Sequence, residues 1–344
     1  MNEQEILLYN SLKNLHLIER APKERILHDL LGLQAQFSRN PQVSLRLRAS
    51  DYDDADWDAG LVKIWSHRGT IHVIPEKELG LYLSAAGNTG PIGENYWRIT
   101  QEQAEKWAPF IQDQVRAGND TRDGLKEACR AAGMDNDLLG RVFYGWGGLI
   151  KEMAWRGQLC CCTGTDKRYT VPEQPVFISR DEARRILIRR YFESFGPATK
   201  QDCLAFFLWK SSEVRDILEE ILPGLLSEKI GAKTYYHAKP LDTQGEIPPC
   251  VLIPGFDQFI MGYRDRSRYI DDEHKPKLVN VAGIVFPSVL LRGRIRAKWK
   301  LDGEKIIITP FERLLKKDET AIRREIRTRF GRTVKEIVYA QENS

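Results

Sequence analysis

The chain has 344 residues, 42% hydrophobic and 29% charged, with a formal net charge of +4. That length accommodates two or three domains around a substantial core, and the ordinary composition excludes a disordered or fibrous chain. Six cysteines, three of them adjacent at 160–162, make no disulfide framework. No apolar run reaches membrane-spanning length, and the amphipathic start MNEQEILLYNSLKNL is unlike a signal peptide, so a cytoplasmic protein without membrane contact is expected.

In chain order, Glu3 to Leu17 and Lys23 to about Leu33 read as helices. A third helix follows Pro41 at VSLRLRA, and KIWSHRGTIHVIP reads as a two-stranded wing turning at Arg68-Gly69. The next segment repeats that grammar. Ile99 to Ala117 is helical, Thr121 caps a second helix that ends at Gly133, and Leu138 to Arg156 is expected to be one longer helix. GQLCCCTGTDKRYTVPEQP then supplies two short strands about a turn at Gly164 to Asp166. A third repeat takes Arg180 to Ser194, Thr199 to Trp209, a helix capped by Ser211 or Ser212, and a wing about Gly231. Three helices followed by a hairpin is the winged form of helix-turn-helix.

Beyond Ile247 the texture changes to strands, at PCVLIPGF, GIVFPSVLL, GRIRAKWKL and EKIIITPFE. Arg292-Gly293 and Asp302-Gly303 suit tight hairpin turns, and a helix from Asp318 to Phe330 follows. The expected fold class is therefore α+β and mostly helical, with tandem winged helix-turn-helix motifs at 1–98, 99–178 and 179–245. A C-terminal β-rich domain carrying a basic hairpin is expected over 246–344.

Charge is segregated along the chain. No acidic residue lies between His274 and Leu301, whereas DYDDADWD (Asp51 to Asp58) concentrates acid elsewhere. Within RGRIRAKWK, Arg292, Arg294, Arg296, Lys298 and Lys300 alternate with Gly293, Ile295, Ala297 and Trp299. With the period of a strand, the cations project from one side. A solvated sheet face would look similar, since charge also protects sheet edges. Like charges in a row repel, however, and a strand that meets phosphates has a use for them.

The stretch LGLQAQFSRNP places Gln34 and Gln36 one residue apart. Residues i and i+2 lie about 200° apart around a helix, but point the same way in extended chain. If the preceding helix ends near Leu33, both amides can face one point, each offering a carbonyl acceptor and two N–H donors. The plain reading of such a pair is two solvent-facing glutamines at a helix end.

His67, Arg68 and His72 flank the first wing's turn as candidates to touch nucleic acid or line a pocket. No carboxylate or cysteine completes a metal set with them. In LIPGFDQFIMGYRDRS, Asp257 sits among apolar residues ahead of a polar tip with Tyr263 and Arg266. An internal Asp–Arg pair and a site role are both open there. CCC lacks CxxC spacing and reads as wing strand, GWGGL follows no strand and is no phosphate loop, and GxSxG and HExxH are absent.

LGLQAQ, IWSHRGTIHVI, ESFGPATKQDCLAFF, LIPGFDQFIMGYRDRS and GIVFPSVLLRGRIRAKWK stand in this order and spacing. Together, over about residues 5 to 340, they resemble the bacterial winged-helix DNA glycosylases of the AlkZ and YcaQ type. The resemblance implies a tandem winged-helix array with a β-rich element. Its catalytic motif is glutamine, a small or aliphatic residue, then glutamine or aspartate. Gln34 and Gln36 match the Gln–Gln version, the AlkZ-like branch, although Ala35 is smaller than the residue often found between them.

The expectation that follows is a monofunctional glycosylase that hydrolyses the N-glycosidic bond of alkylated purines in double-stranded DNA, with bulky adducts and crosslinks left open as further substrates. Gln34 and Gln36 would be catalytic, and His67, Arg68, His72, Asp257, Tyr263 and Arg266 would shape the substrate pocket. Arg292, Arg294, Arg296 and Lys298 would hold DNA. Neither metal nor organic cofactor is implied. A winged-helix regulator reading an operator, or a lesion binder without turnover, are the rival classes. No dimerisation helix is evident, so a monomer is expected.

Overall fold

A computed structural model describes residues 1–87, 97–145, 147–164 and 166–340. They fall into two compact units. The first comprises Met1–Gln34, Arg39–Trp57 and Ile186–Ser344, and the second Ala35–Ser38 and Asp58–Arg185.

In the first unit, helix Glu3–Asn14 begins at a capping box, with Asn2 accepting from the Glu5 backbone while Glu5 reaches back to Asn2. Helices Lys23–Asp29 and Arg39–Arg48 follow, and between them Leu33–Gln34 is extended. The C-terminal part is a five-stranded sheet in the order Glu336–Tyr339, Lys305–Pro310, Arg294–Asp302, Ser288–Leu291, Cys250–Ile253. Its two tight turns fall at the residues expected from sequence. Arg292 (φ 47°) and Gly293 (φ 84°) both take the left-handed region that a type I′ turn needs. The turn at Asp302 uses Gly303 with φ 58°.

Helix Lys316–Phe330 covers one face of that sheet. Its Ile322, Ile326 and Phe330 pack with Leu252, Val289, Ala297, Trp299, Ile306 and Ile308 in one cluster of buried residues. Each such large apolar side chain contributes about 1.5–3 kcal/mol relative to exposure. Trp299 also satisfies its indole N–H on the Ile253 carbonyl at 2.9 Å, so the strand of alternating cations is anchored by its apolar face. Strand Glu336–Tyr339, which was not anticipated, runs parallel to Lys305–Pro310.

The second unit centres on helices Gln101–Arg116, Arg122–Ala131, Asn136–Val142 and Gly148–Trp155. Thr121 caps the second of these by accepting from Gly124, as expected. The single helix expected over Leu138 to Arg156 is instead two. Gly148, at φ 72°, would bring a Cβ against the Arg141 and Val142 carbonyls, so the chain breaks there where only glycine fits.

The two expected wings of this region join in one antiparallel sheet, in the order Ile71–Pro75, Leu61–Trp65, Cys160–Cys161, Tyr169–Thr170. Of the triple cysteine, Cys160 and Cys161 are therefore strand, and all six cysteines are free thiols. Of the turn expected at Gly164 to Asp166, Thr165 lies outside the described residues.

Gly80, in helix Leu79–Ala86, faces the Val176 backbone so closely that a Cβ would overlap the carbonyl group. Gly80→Ala is expected to destabilise the protein by about 1–3 kcal/mol through overpacking. A lowered urea midpoint followed by tryptophan fluorescence checks this, and an unchanged midpoint would refute the close approach.

Candidate active site

The segment after helix Lys23–Asp29 loses helical geometry early. Leu31 (φ 54°) and Gly32 (φ 88°) both lie in the left-handed region, which ends the helical run and sends Leu33 and Gln34 into extended chain. Gln34 is 5% exposed and Ala35 6%, while Gln36 is exposed. The Ala35 N–H donates to the Ile71 carbonyl at 2.8 Å. The small residue of the Gln-Ala-Gln stretch is thus tied to strand Ile71–Pro75.

Gln34 lines a recess with Leu33, Asn40, Ser44, Gly255, Phe256, Asp257 and Gln258. Its volume is about 10 Å³, near the minimum that holds one water molecule. Asp257 is completely buried and ion-paired to equally buried Arg48, Oδ1 to Nη2, at 2.7 Å. The same Oδ1 accepts from the Phe259 N–H at 2.9 Å and so caps the short helix Gln258–Met261. Arg48 also donates through Nε to the Leu15 carbonyl at 2.8 Å and through Nη1 to Ser44 Oγ at 3.0 Å.

Gln258 donates through Nε2 to the Gly32 carbonyl, two residues ahead of Gln34. Neither Asp257 Oδ2 nor Gln258 Oε1 accepts a hydrogen bond from any described group. Arg48, Ser44 and Gln258 were not singled out from sequence. The adjacent polar pair in GFDQF was the available signal for Gln258, whereas Arg48 in SLRLRA looks like any helical arginine.

His67, Arg68 and His72 do come together, within the second unit. The short turn His67–Gly69, with Arg68 at φ 60°, brings the two imidazoles to a centroid separation of 4.1 Å. Arg68 Nη2 donates to His72 Nε2 at 3.1 Å. That bond assigns His72 the tautomer with its proton on Nδ1, which donates to the Thr70 carbonyl at 3.2 Å. Burial pulls both imidazoles well below their ordinary pKa, and the Arg68 charge adds to this in each case. They are neutral at physiological pH. Among the described residues the cluster joins the Arg68 guanidinium to two imidazoles, an arrangement suited to stacking and hydrogen bonding.

Tyr263 and Arg266 face structural partners. The buried Tyr263 hydroxyl donates to the Phe195 carbonyl at 2.8 Å, and its ring lies 4.3 Å from the Arg268 guanidinium. Arg266 Nε donates to the Ile260 carbonyl at 3.3 Å.

On strand Arg294–Asp302 the alternation is as read, with Ile295, Ala297 and Trp299 buried and Arg294, Arg296, Lys298 and Lys300 outward. The acid-free window nonetheless finds acid partners from outside it. Arg292 pairs with Asp318 and Arg294 with Asp271. Arg296 meets Asp271 at 3.0 Å and Glu312 at 3.2 Å. Lys298 lies 5.1 Å from the Phe286 ring, and exposed Lys300 stands 3.5 Å from Asp302.

A wider cavity of about 610 Å³ in the first unit is lined by Thr199, Lys200, Asp202, Lys233, Tyr235, Arg264 and Asp265 among others. Its charges are largely committed, Lys233 to Asp265 and Asp202 to the Thr199 cap and the Arg264 N–H. Among the described residues no group of three or more His, Cys, Asp or Glu side chains is placed to hold a metal ion, and no helix is long and apolar enough to cross a membrane.

The fold is that of a solved DNA glycosylase. Streptomyces sahachiroi DNA glycosylase AlkZ superposes with a TM-score of 0.77 over 98% of this chain and 99% of that one, at 22% identity. The model of the family described as DNA glycosylase AlkZ-like matches residues 27–331, so the chain belongs to the AlkZ-like DNA glycosylases. A relative described as an interstrand DNA cross-link repair glycosylase, also from Streptomyces sahachiroi, is 27% identical over 310 residues, 82% of this chain and 83% of the relative. The protein is accordingly a DNA repair enzyme that acts on N-glycosyl bonds, and the regulator reading is not favoured.

Proposed function

We propose that this glycosylase releases purines alkylated at N7 or N3, with Gln34 and Gln36 as the catalytic pair. The observation that carries the reading is a buried Gln34 at the wall of a recess sized for one water, with no lysine among the described residues that line it. A purine alkylated at N7 or N3 carries positive charge and leaves readily. The protein then needs neither a strong acid on the base nor an amine nucleophile. It must position water and stabilise a cation-like sugar, which amide carbonyls do through the negative ends of their dipoles.

Buried and neutral His67 and His72, with Arg68, would face the lesion, and Tyr263 and Arg266 would hold the loop that carries Asp257. Helices Arg180–Phe195, Lys200–Phe207 and Arg215–Ile221, followed by the hairpin Leu226–Ile230 and Lys233–His237, support a winged-helix motif at 179–245. The outward side of strand Arg294–Asp302, with Arg292 at its turn, would meet the DNA backbone. Paired arginines there keep their guanidinium edges oriented, and Lys298 and Lys300 supply charge. Double-stranded DNA is the partner, and the protein acts as a monomer in the cytoplasm. The cross-link repair description of the Streptomyces relative extends the proposed substrates to bulky N7 adducts and interstrand crosslinks.

The test is base release from duplex DNA carrying a single 7-methylguanine, followed by liquid chromatography under single-turnover conditions. Release well above the spontaneous rate is expected. Release at the spontaneous rate from this duplex and from one bearing a bulky N7 adduct would exclude the substrate class.

A further inference from the structure

We infer that Asp257 and Gln258 complete the water site at Gln34, and that Asp257 Oδ2 takes the proton when this water attacks the sugar. The inference rests on the reading that places Gln34 at the chemistry. Three observations converge on it. Asp257 Oδ1 is fully used, by Arg48 and by the Phe259 N–H, whereas the completely buried Oδ2 accepts nothing among the described residues. A buried carboxylate oxygen without a donor is costly, and folded proteins rarely keep one without a use.

The next residue, Gln258, repeats the arrangement. Its Nε2 is spent on the Gly32 carbonyl, while Oε1 accepts nothing among the described residues. Both side chains line the same one-water recess as Gln34. Two acceptors fit the two hydrogens of a single water, and a water bound so presents an oxygen lone pair outward. Gln258 has a second task, because its bond to Gly32 holds the backbone immediately ahead of Gln34.

The step balances without any further reactant. The water oxygen forms a bond to C1′ as the C1′–N9 bond breaks, and the bond pair leaves with N9, cancelling the positive charge of the alkylated purine. The proton shed by the water passes to Asp257 Oδ2 and from there to solvent. The products are the free alkylated base and an abasic sugar. Arg48 holds Asp257 through Oδ1 alone and leaves Oδ2 available.

Asp257→Asn separates this role from a structural one. Asparagine can keep Oδ1 for Arg48 and for the Phe259 N–H, and it turns only Oδ2 into an N–H donor. Single-turnover release of 7-methylguanine is expected to fall about 100-fold, with unchanged affinity for duplex DNA containing a stable abasic-site analogue. Gln258→Leu, which removes Oε1 together with the bond to Gly32, is expected to slow release about tenfold, again with binding intact.

A wild-type rate in Asp257→Asn overturns the inference, and so does a loss of rate that only follows a loss of binding. Should Asp257→Asn lose its cooperative unfolding transition, Gln258→Leu decides, and a wild-type rate there overturns the inference. Gln34→Ala in the same assay keeps the two readings apart. A silent Gln34→Ala removes the underlying reading, whereas an inactive Gln34→Ala beside a fully active Asp257→Asn removes only the role given to Asp257.

Discussion

Gln34→Ala is expected to slow release of 7-methylguanine by about two to three orders of magnitude, the usual effect of deleting one polar group aimed at developing charge. The side chain is almost wholly buried at the wall of the recess, so its amide makes few alternative contacts with solvent. Its truncation also enlarges the recess, and a water held in a larger space samples orientations that do not react. Gln34→Leu separates these contributions, since leucine restores much of the volume without the carbonyl. Both variants should be slow if the dipole matters, and only alanine should be slow if confinement alone does. DNA affinity should hold in both, because a buried amide contributes little to phosphate binding, which is carried by exposed cations. Gln36→Ala should cost less, since that side chain is exposed before DNA binds. Full activity in both Gln34 variants would remove Gln34 from the mechanism.

The parts of this protein that were legible in its sequence are those fixed by local physics. The turns at Arg292-Gly293 and Asp302-Gly303 were legible because positive φ at those positions is a property of a few adjacent residues. The cap at Thr121 was legible because a side-chain oxygen accepting from a backbone N–H three residues on is equally local. The Gln-x-Gln spacing could be read as extended chain, and the described backbone agrees at Gln34. What was missed involves partners far along the chain. Asp257 and Arg48 are 209 positions apart, and no pattern near either residue announces the other. Strand Glu336–Tyr339 owes its place to pairing with Lys305–Pro310. The acid-free window around strand Arg294–Asp302 looked like unopposed charge, but Asp271, Glu312 and Asp318 lie just outside it and fold onto its arginines. The break at Gly148 was within reach of a local reading. Three glycines at 145, 147 and 148 weigh against an uninterrupted helix.

Arg48→Met is expected to lower the stability of the fold by about 3–5 kcal/mol, because it strands a buried carboxylate without its counter-charge. Both side chains of the pair are completely inaccessible to solvent, so water cannot replace the lost guanidinium. The double variant Arg48→Met with Asp257→Leu removes the stranded charge and should recover much of that loss, as apolar replacement of a whole buried pair usually does. Recovery should stop short of wild type, since Arg48 also satisfies the Leu15 carbonyl, and a buried acceptor left without a donor costs about 1–3 kcal/mol. Urea midpoints of the three proteins measure this directly. A double variant as unstable as Arg48→Met would show that the arginine's packing and backbone contacts, not its pairing with Asp257, hold this part of the fold. The same double variant also bears on the chemistry. It should be folded and bind DNA yet release base slowly, because it lacks the carboxylate proposed to receive the proton. A stable double variant with full activity would show that the Arg48–Asp257 pair serves neither folding nor the reaction.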